Sequence, residues 1–283
     1  MSNFTKRLGA LAAMVALSAV AACGSGGSNS SSDDQIAAIK EAGTLRIGVA
    51  SFKPDNFRGP DGEWTGSMVD LATDLANEWE VKPEFVSTTF ENIVAGLQAD
   101  QFDLALDLTK TDERAKVITF TDPIYVSVDN LVVARDKFQT WDEASAKGRS
   151  ICVAKGGANE VGLRSTTPEA TIVALPDSDS CYLQLTSGRV DGVWNQWLNT
   201  SEYVRANPQY GVLYPPTAAN FASTNLGVSK KWSSSSVDAL NADIKKLMDA
   251  KGGWSGYTEP YHEGKPTDGA IGNLPDYAVD ATK

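Results

Sequence analysis

The sequence predicts a mixed α/β protein built from two lobes. Three observations predict it: strand and helix patterns alternate from Thr44 onward, the alternation restarts near Asn130, and no long linker separates the two series. In the first series 45–49 is a short apolar run that reads as a strand, followed by a Gly/Pro/Asp-rich loop over 53–62. Leu71, Leu75 and Trp79 recur at helical spacing and predict an amphipathic helix over 68–79. A strand over 83–86, a helix over 90–99 carrying Ile93, Val94 and Leu97, and a strand over 102–106 complete the series. Such an order indicates a largely parallel sheet. The second series runs through strands at 130–134, 150–154 and 171–175, a helix over 180–187 and a strand over 189–194. A late strand at 226–228 precedes a helix over 237–251, with Leu240, Ile244, Leu247 and Met248 on one side. The remainder, from Gly252, is rich in Gly, Pro and aromatic residues and is expected to lie along the surface.

The N-terminus bounds the compartment. Lys6 and Arg7 precede an apolar stretch over 8–20, and small residues lead into Cys23. This pattern describes a secretory signal, expected over 1–22, and the run is too short for a comfortable transmembrane helix. Small residues directly before a cysteine resemble the bacterial lipobox, in which Cys23 becomes a lipidated (palmitate-bearing) N-terminus; the alternative is an ordinary signal peptide with a chance cysteine. The Gly/Ser-rich stretch over 24–34 fits a flexible tether, expected to extend over 23–43. The chain carries 25 basic against 36 acidic residues, and losing Lys6 and Arg7 makes it more acidic still. That balance argues against nucleic acid as a partner, since such binding depends on basic surfaces. Beyond Cys23 only Cys152 and Cys181 remain, either as a disulfide or as two buried thiols. Two thiols and the single His262 do not make a four-ligand zinc site, and neither a metal nor a cofactor is expected.

Several motifs occur in a fixed order: GTLRIGV, DGEWTGSMVDLATDLA, TKTDERAKVITFTDPIY, NLVVARD, GRSICVAKGGANE, SGRVDGVW and NLGVSKK. Together they resemble the extracellular solute-binding proteins of polar amino-acid ABC importers, over nearly the whole chain from Thr44 to about Tyr261. The resemblance implies a periplasmic binding protein of type II, with two α/β lobes joined by two hinge strands and a solute held between them. It places the first lobe at 44–133 plus 224–283 and the second at 134–223. It also implies a monomer, lipid-anchored on the external face, that delivers an amino acid or a derivative to ABC permease subunits. A cysteine pair at comparable places in some relatives implies that Cys152 and Cys181 bridge a strand to a helix.

Residue by residue, Arg114 matches the arginine that grips a solute carboxylate, and a planar guanidinium suits that group by offering two parallel hydrogen bonds. Thr109 matches a hydroxyl position beside it, although a threonine after a strand also caps turns. Gly156, Gly157 and Ala158 match a turn that presents backbone N–H groups to an anion. Phe52 matches an aromatic at the cleft edge, with core packing as the rival role, and Asp55 replaces an aromatic, which predicts a more polar wall. Trp194 either walls the cleft or fills the core. The family's ammonium-binding aspartate is replaced by Gln196, whose amide carries no charge. Either Asp107 takes the ammonium instead, or the solute is not a plain α-amino acid. Two other readings remain: a solute sensor that signals to a membrane kinase, and an enzyme of the same fold, a dehydratase or lyase. No catalytic residue is expected.

Overall fold

The computed structural model describes residues 34–217, 221–265 and 267–276. The expected signal, Cys23 and the tether up to residue 33 lie outside them. The last part of the span expected as tether is instead helix α1 (Gln35–Ala42). The Asp34 carboxylate accepts the Ala37 N–H at 3.1 Å, and Gly43 ends the helix at a φ of 70°. Ile36 and Ile39, one turn apart, are buried in the core of the first lobe, which is why the segment docks.

The first lobe continues through β1 (Thr44–Val49), a hairpin of β2 (Phe57–Arg58) and β3 (Trp64–Thr65), α2 (Ser67–Glu78), β4 (Lys82–Ser87), α3 (Ile93–Gln98), β5 (Leu104–Thr109), α4 (Asp112–Val117) and β6 (Ile118–Phe120). Strand β7 (Tyr125–Ala134) leads into the second lobe: α5 (Trp141–Ser145), β8 (Ser150–Ala154), α6 (Ala158–Thr166), β9 (Thr171–Leu175), α7 (Ser178–Thr186), β10 (Gly192–Gln196), α8 (Trp197–Ala206) and β11 (Tyr210–Leu213). Strand β12 (Phe221–Ser229) returns to the first lobe, followed by α9 (Ser234–Lys251) and α10 (Ser255–Thr258).

Each lobe has a parallel core, β4-β1-β5 in the first and β10-β8-β9 in the second. The two connecting strands run antiparallel to these cores and pair with one another where Tyr125–Val128 meet Phe221–Thr224. Beyond Val128, strand β7 pairs only with the second-lobe strands β10 and β11. The passage between lobes therefore falls between Val128 and Asp129, earlier than the expected boundary at 133/134. Apolar content alone hid this, because Leu131, Val132 and Val133 belong to one continuous strand.

Alternation of side chains sorts the buried residues onto the two faces of each sheet. In β7, Leu131 and Val133 join the cluster around Trp194, and Val132 joins the cluster around Cys152. Strand β5 breaks the rule. Leu104 and Leu106 enter one core and Ala105 the other, but Leu108 falls on the Ala105 side. The flip comes at Asp107, whose φ is 59°, and the register against β12 slips by one residue there. It is a β-bulge, a device that re-aims a side chain.

The Cys152–Cys181 disulfide joins β8 to α7 across a Cα–Cα distance of 5.4 Å. It closes a loop of 29 residues, for which the chain-entropy estimate is about 3–4 kcal/mol. In a chain of this size that corresponds to about 10 °C. The double variant Cys152→Ala, Cys181→Ala is expected to melt lower by about that amount in calorimetry, and an unchanged melting temperature counts against this role.

The C-terminal stretch is held more firmly than a surface tail. Tyr257 is buried and donates to Asp74 Oδ2 at 2.9 Å, and Tyr261 donates to Asp70 Oδ2 at 2.8 Å. Beyond these first-lobe contacts, His262 Nε2 lies 2.9 Å from Ser201 Oγ, and the Gly264 N–H donates to Glu202 at 3.0 Å. Ala270 bridges to Val212. The described residues 262–265 and 267–271 thus pack on α8 and β11, which corrects their expected place in the first lobe. No helix of the described residues is long and apolar enough to cross a membrane.

Candidate functional site

Between the lobes lies a small cavity lined by Phe52, Phe90, Asp107, Thr109, Arg114, Val153, Ala154, Gly157, Ala158, Asn159, Trp194, Asn195 and Gln196. Eight of the nine residues that the sequence singles out line it, and Gly156 stands at its rim as a contact between lobes.

Arg114 sits in the first turn of α4, a helix with no buried residues, capped by Thr111 Oγ1, which accepts the Arg114 N–H at 3.2 Å. The guanidinium donates from Nη1 to the Thr109 carbonyl at 3.0 Å and from Nη2 to the Gly156 carbonyl at 2.9 Å. It therefore ties the end of β5 to the turn before α6. Burial pulls its pKa down and the charge of Asp107 pushes it back, so the group stays a cation.

Gly156 supplies a different group from the one expected. Its N–H donates to Glu160 Oε2 at 2.9 Å, leaving its carbonyl to face Arg114. Its φ of 77° favours glycine, and a Cβ there would lie 2.5 Å from the Glu91 Cα. Gly157 and Ala158 line the cavity at the start of α6. Two more contacts close the lobes at the rim: Lys155 Nζ meets Glu91 Oε1 at 2.7 Å, and Asn199 Nδ2 donates to the Lys53 carbonyl at 2.8 Å.

Asp107 is turned inward by the bulge in β5. It is buried, and its Oδ2 has no hydrogen-bond partner among the described residues. Burial holds its carboxyl well above the usual range, and the charge of Asp55 pushes it further the same way. The polar side chains of Tyr125 and Asn56 and the charge of Arg114 act in the opposite direction.

Gln196, at the end of β10, and Trp194 each keep a buried polar atom without a partner among the described residues, Oε1 and Nε1. Trp194 fills both roles that its sequence left open: it lines the cavity and packs edge-on against Trp141 in the core, with ring centroids 5.8 Å apart. Phe52 is likewise buried against Phe90, edge to face at 6.3 Å, while bordering the cavity.

Asp55 corrects an expectation. It is not part of the wall but lies fully buried outside it, accepting from Ser67 Oγ and, at 2.5 Å, from Tyr125 Oη. Sequence reasoning also passed over Asn159, Asn195 and Phe90. Asn159 follows the GG turn of its motif and donates to Asp129 Oδ1 at 3.1 Å, and Asn195 directly precedes Gln196. Their neighbours in the motifs were the available signal. Asp191, outside the cavity lining, accepts the Ser150 N–H at 2.9 Å.

Comparison with known proteins places this cavity in context. The profile of the bacterial extracellular solute-binding proteins, family 3, matches residues 45–252. The ABC transporter arginine-binding protein 1 of Escherichia coli (strain K12) is 26% identical over 65% of this chain and 76% of its own. Cyclohexadienyl dehydratase of Pseudomonas aeruginosa is 26% identical over 68% of this chain and 74% of its own. An amino acid ABC transporter substrate-binding protein of Streptococcus pneumoniae, solved with L-arginine bound, superposes with a TM-score of 0.72 at 25% identity, covering 80% of this chain and 96% of that one.

Proposed function

We propose, from the premise that this chain belongs to family 3 of the bacterial extracellular solute-binding proteins, that its cleft captures an amino acid outside the cell for an ABC importer. One observation carries the reading. A cation, Arg114, and a carboxyl, Asp107, whose Oδ2 accepts no hydrogen bond from the described residues, border one cavity between two lobes, as a zwitterion requires. The solute carboxylate goes to the guanidinium, which turns from its two carbonyl partners to make a pair of parallel bonds. The ammonium goes to Asp107, with the Gln196 carbonyl as a second acceptor. Thr109, Gly157 and Ala158 border the carboxylate, and Phe52 and Trp194 cover the apolar stem. Closure about β7 and β12 then presents a different surface to the permease, a hinge movement of known type. The same reading includes attachment through lipidated Cys23, a residue outside the described ones, and action as a monomer.

The test is a thermal-shift screen of the twenty proteinogenic amino acids. A binder at about 100 times its dissociation constant stabilises the folded protein by about 2.7 kcal/mol. No shift with any of them, at millimolar concentration, sinks the proposal. A dehydratase is the second reading, favoured by the Pseudomonas relative and by a buried, protonation-prone carboxyl beside an arginine. Against it, the described residues lining the cavity include no histidine or thiol to serve as a second acid–base group. Turnover of prephenate would establish that reading, and binding of an amino acid without turnover would exclude it.

A further inference from the structure

Asp55 and Asp107 are both buried and close enough for the charge on one to act on the other, and Tyr125 Oη, which donates to Asp55 Oδ2 at 2.5 Å, lies near both. Buried like charges do not both persist without compensation. The charged and titratable groups facing Asp107 are Asp55 from the loop after β1, Tyr125 from β7 and Arg114 from α4. The second lobe adds the neutral Asn159, Asn195 and Gln196. Arg114, the single cation among them, spends Nη1 and Nη2 on carbonyl oxygens and makes no ion pair with either carboxyl.

The two acids differ in their partners. Both oxygens of Asp55 accept hydroxyl protons, from Ser67 and from Tyr125, and this arrangement suits a carboxylate. Asp107 lines the cavity, and its Oδ2 accepts no hydrogen bond from the described residues. We propose that the Asp55–Tyr125–Asp107 cluster stores one proton on Asp107 while the cleft is empty and releases it to solvent when a solute ammonium arrives, so that capture is linked to proton release. In that step the Asp107 O–H bond breaks, the proton passes to water or buffer, and an N–H···O⁻ bond to the ammonium replaces it. Asp55 touches no solute; it is a positioning group that keeps the proton on its neighbour. The burial that holds both carboxyls above their usual range agrees with this.

The inference rests on the amino-acid reading above, and its test separates the two. The strongest binder from the twenty amino acids is titrated calorimetrically at pH 7 in phosphate and in Tris, whose ionisation heats differ widely. Release of about one proton per solute makes the observed enthalpy depend on the buffer. Affinity also rises with pH, by up to tenfold per unit below the pKa of Asp107 in the empty protein, and levels off above it. Asp55→Asn is expected to reduce the released fraction at pH 7, because Asp107 then loses a neighbouring charge. Binding with equal heat in both buffers overturns the inference and leaves the capture reading standing. Undiminished release from a folded Asp55→Asn protein overturns the role of Asp55. If that variant fails to fold, the wild-type measurement decides alone. Failure of all twenty amino acids to bind removes both proposals.

Discussion

Arg114→Ala is expected to lower amino-acid affinity about a thousandfold while the empty protein stays folded. Truncating one member of a buried, hydrogen-bonded charge pair costs about 2–5 kcal/mol, much of it from stranding the other charge. Here the stranded group is the solute carboxylate, enclosed by the lobes. The loss falls toward the upper part of that range because the guanidinium, released from the Thr109 and Gly156 carbonyls, gives that carboxylate two parallel bonds at once. The fold has little stake in the side chain, since α4 buries no residue and its cap uses the Arg114 backbone rather than the guanidinium. The melting temperature of the empty variant should therefore stay within a few degrees of wild type. Arg114→Lys keeps the charge but loses the fork, and its affinity should fall between the two. Calorimetric affinity equal to wild type in Arg114→Ala removes the site assignment.

How much of this was legible depended on which physical signal each element left in the chain. Strands β8 and β9 were readable to the residue because short apolar runs sit between turn residues. Helix α8 was not. Its buried side includes Asn199, Thr200 and Ser201, so no apolar period marks it; Asn199 and Ser201 are satisfied by tertiary partners, Lys53 and His262, and Thr200 by the Trp197 carbonyl within the helix. Helix α4 has no buried face at all. Within the site, Arg114 was legible because its motif is local. The Asp55–Tyr125 bond was not, since 70 residues separate the pair and only the fold brings them together. Likewise nothing in the composition of β5 announces that Asp107 adopts a left-handed backbone. That conformation follows from the one-residue mismatch with β12, a property of pairing rather than of either strand alone.

Asp107→Asn is the sharpest test of how the ammonium is held, because asparagine has the shape of the protonated acid but cannot ionise. The empty variant should fold at least as stably as wild type at neutral pH. Asp107 has a folded-state pKa raised above the unfolded value of about 3.9. A raised acid binds its proton more tightly when folded, so its stabilising effect is complete below about pH 3.9 and is lost as pH climbs through the folded value. Asparagine removes that dependence, and the stability of the empty variant should decline less between acid and neutral pH. Asp55 is shifted in the same direction and leaves a residual slope. Solute binding should respond in the opposite sense. With no carboxylate to meet the ammonium, affinity for a zwitterion is expected to fall by about 2–3 kcal/mol, or about 30- to 150-fold. The drop stays below that of Arg114→Ala because wild type must first give up a proton, which offsets part of the charge pair. Binding to the variant should also lose most of the pH dependence that wild type shows below the raised pKa of Asp107. Tighter binding by Asp107→Asn would instead identify an anionic solute, for which a carboxylate beside Arg114 is a hindrance rather than a partner.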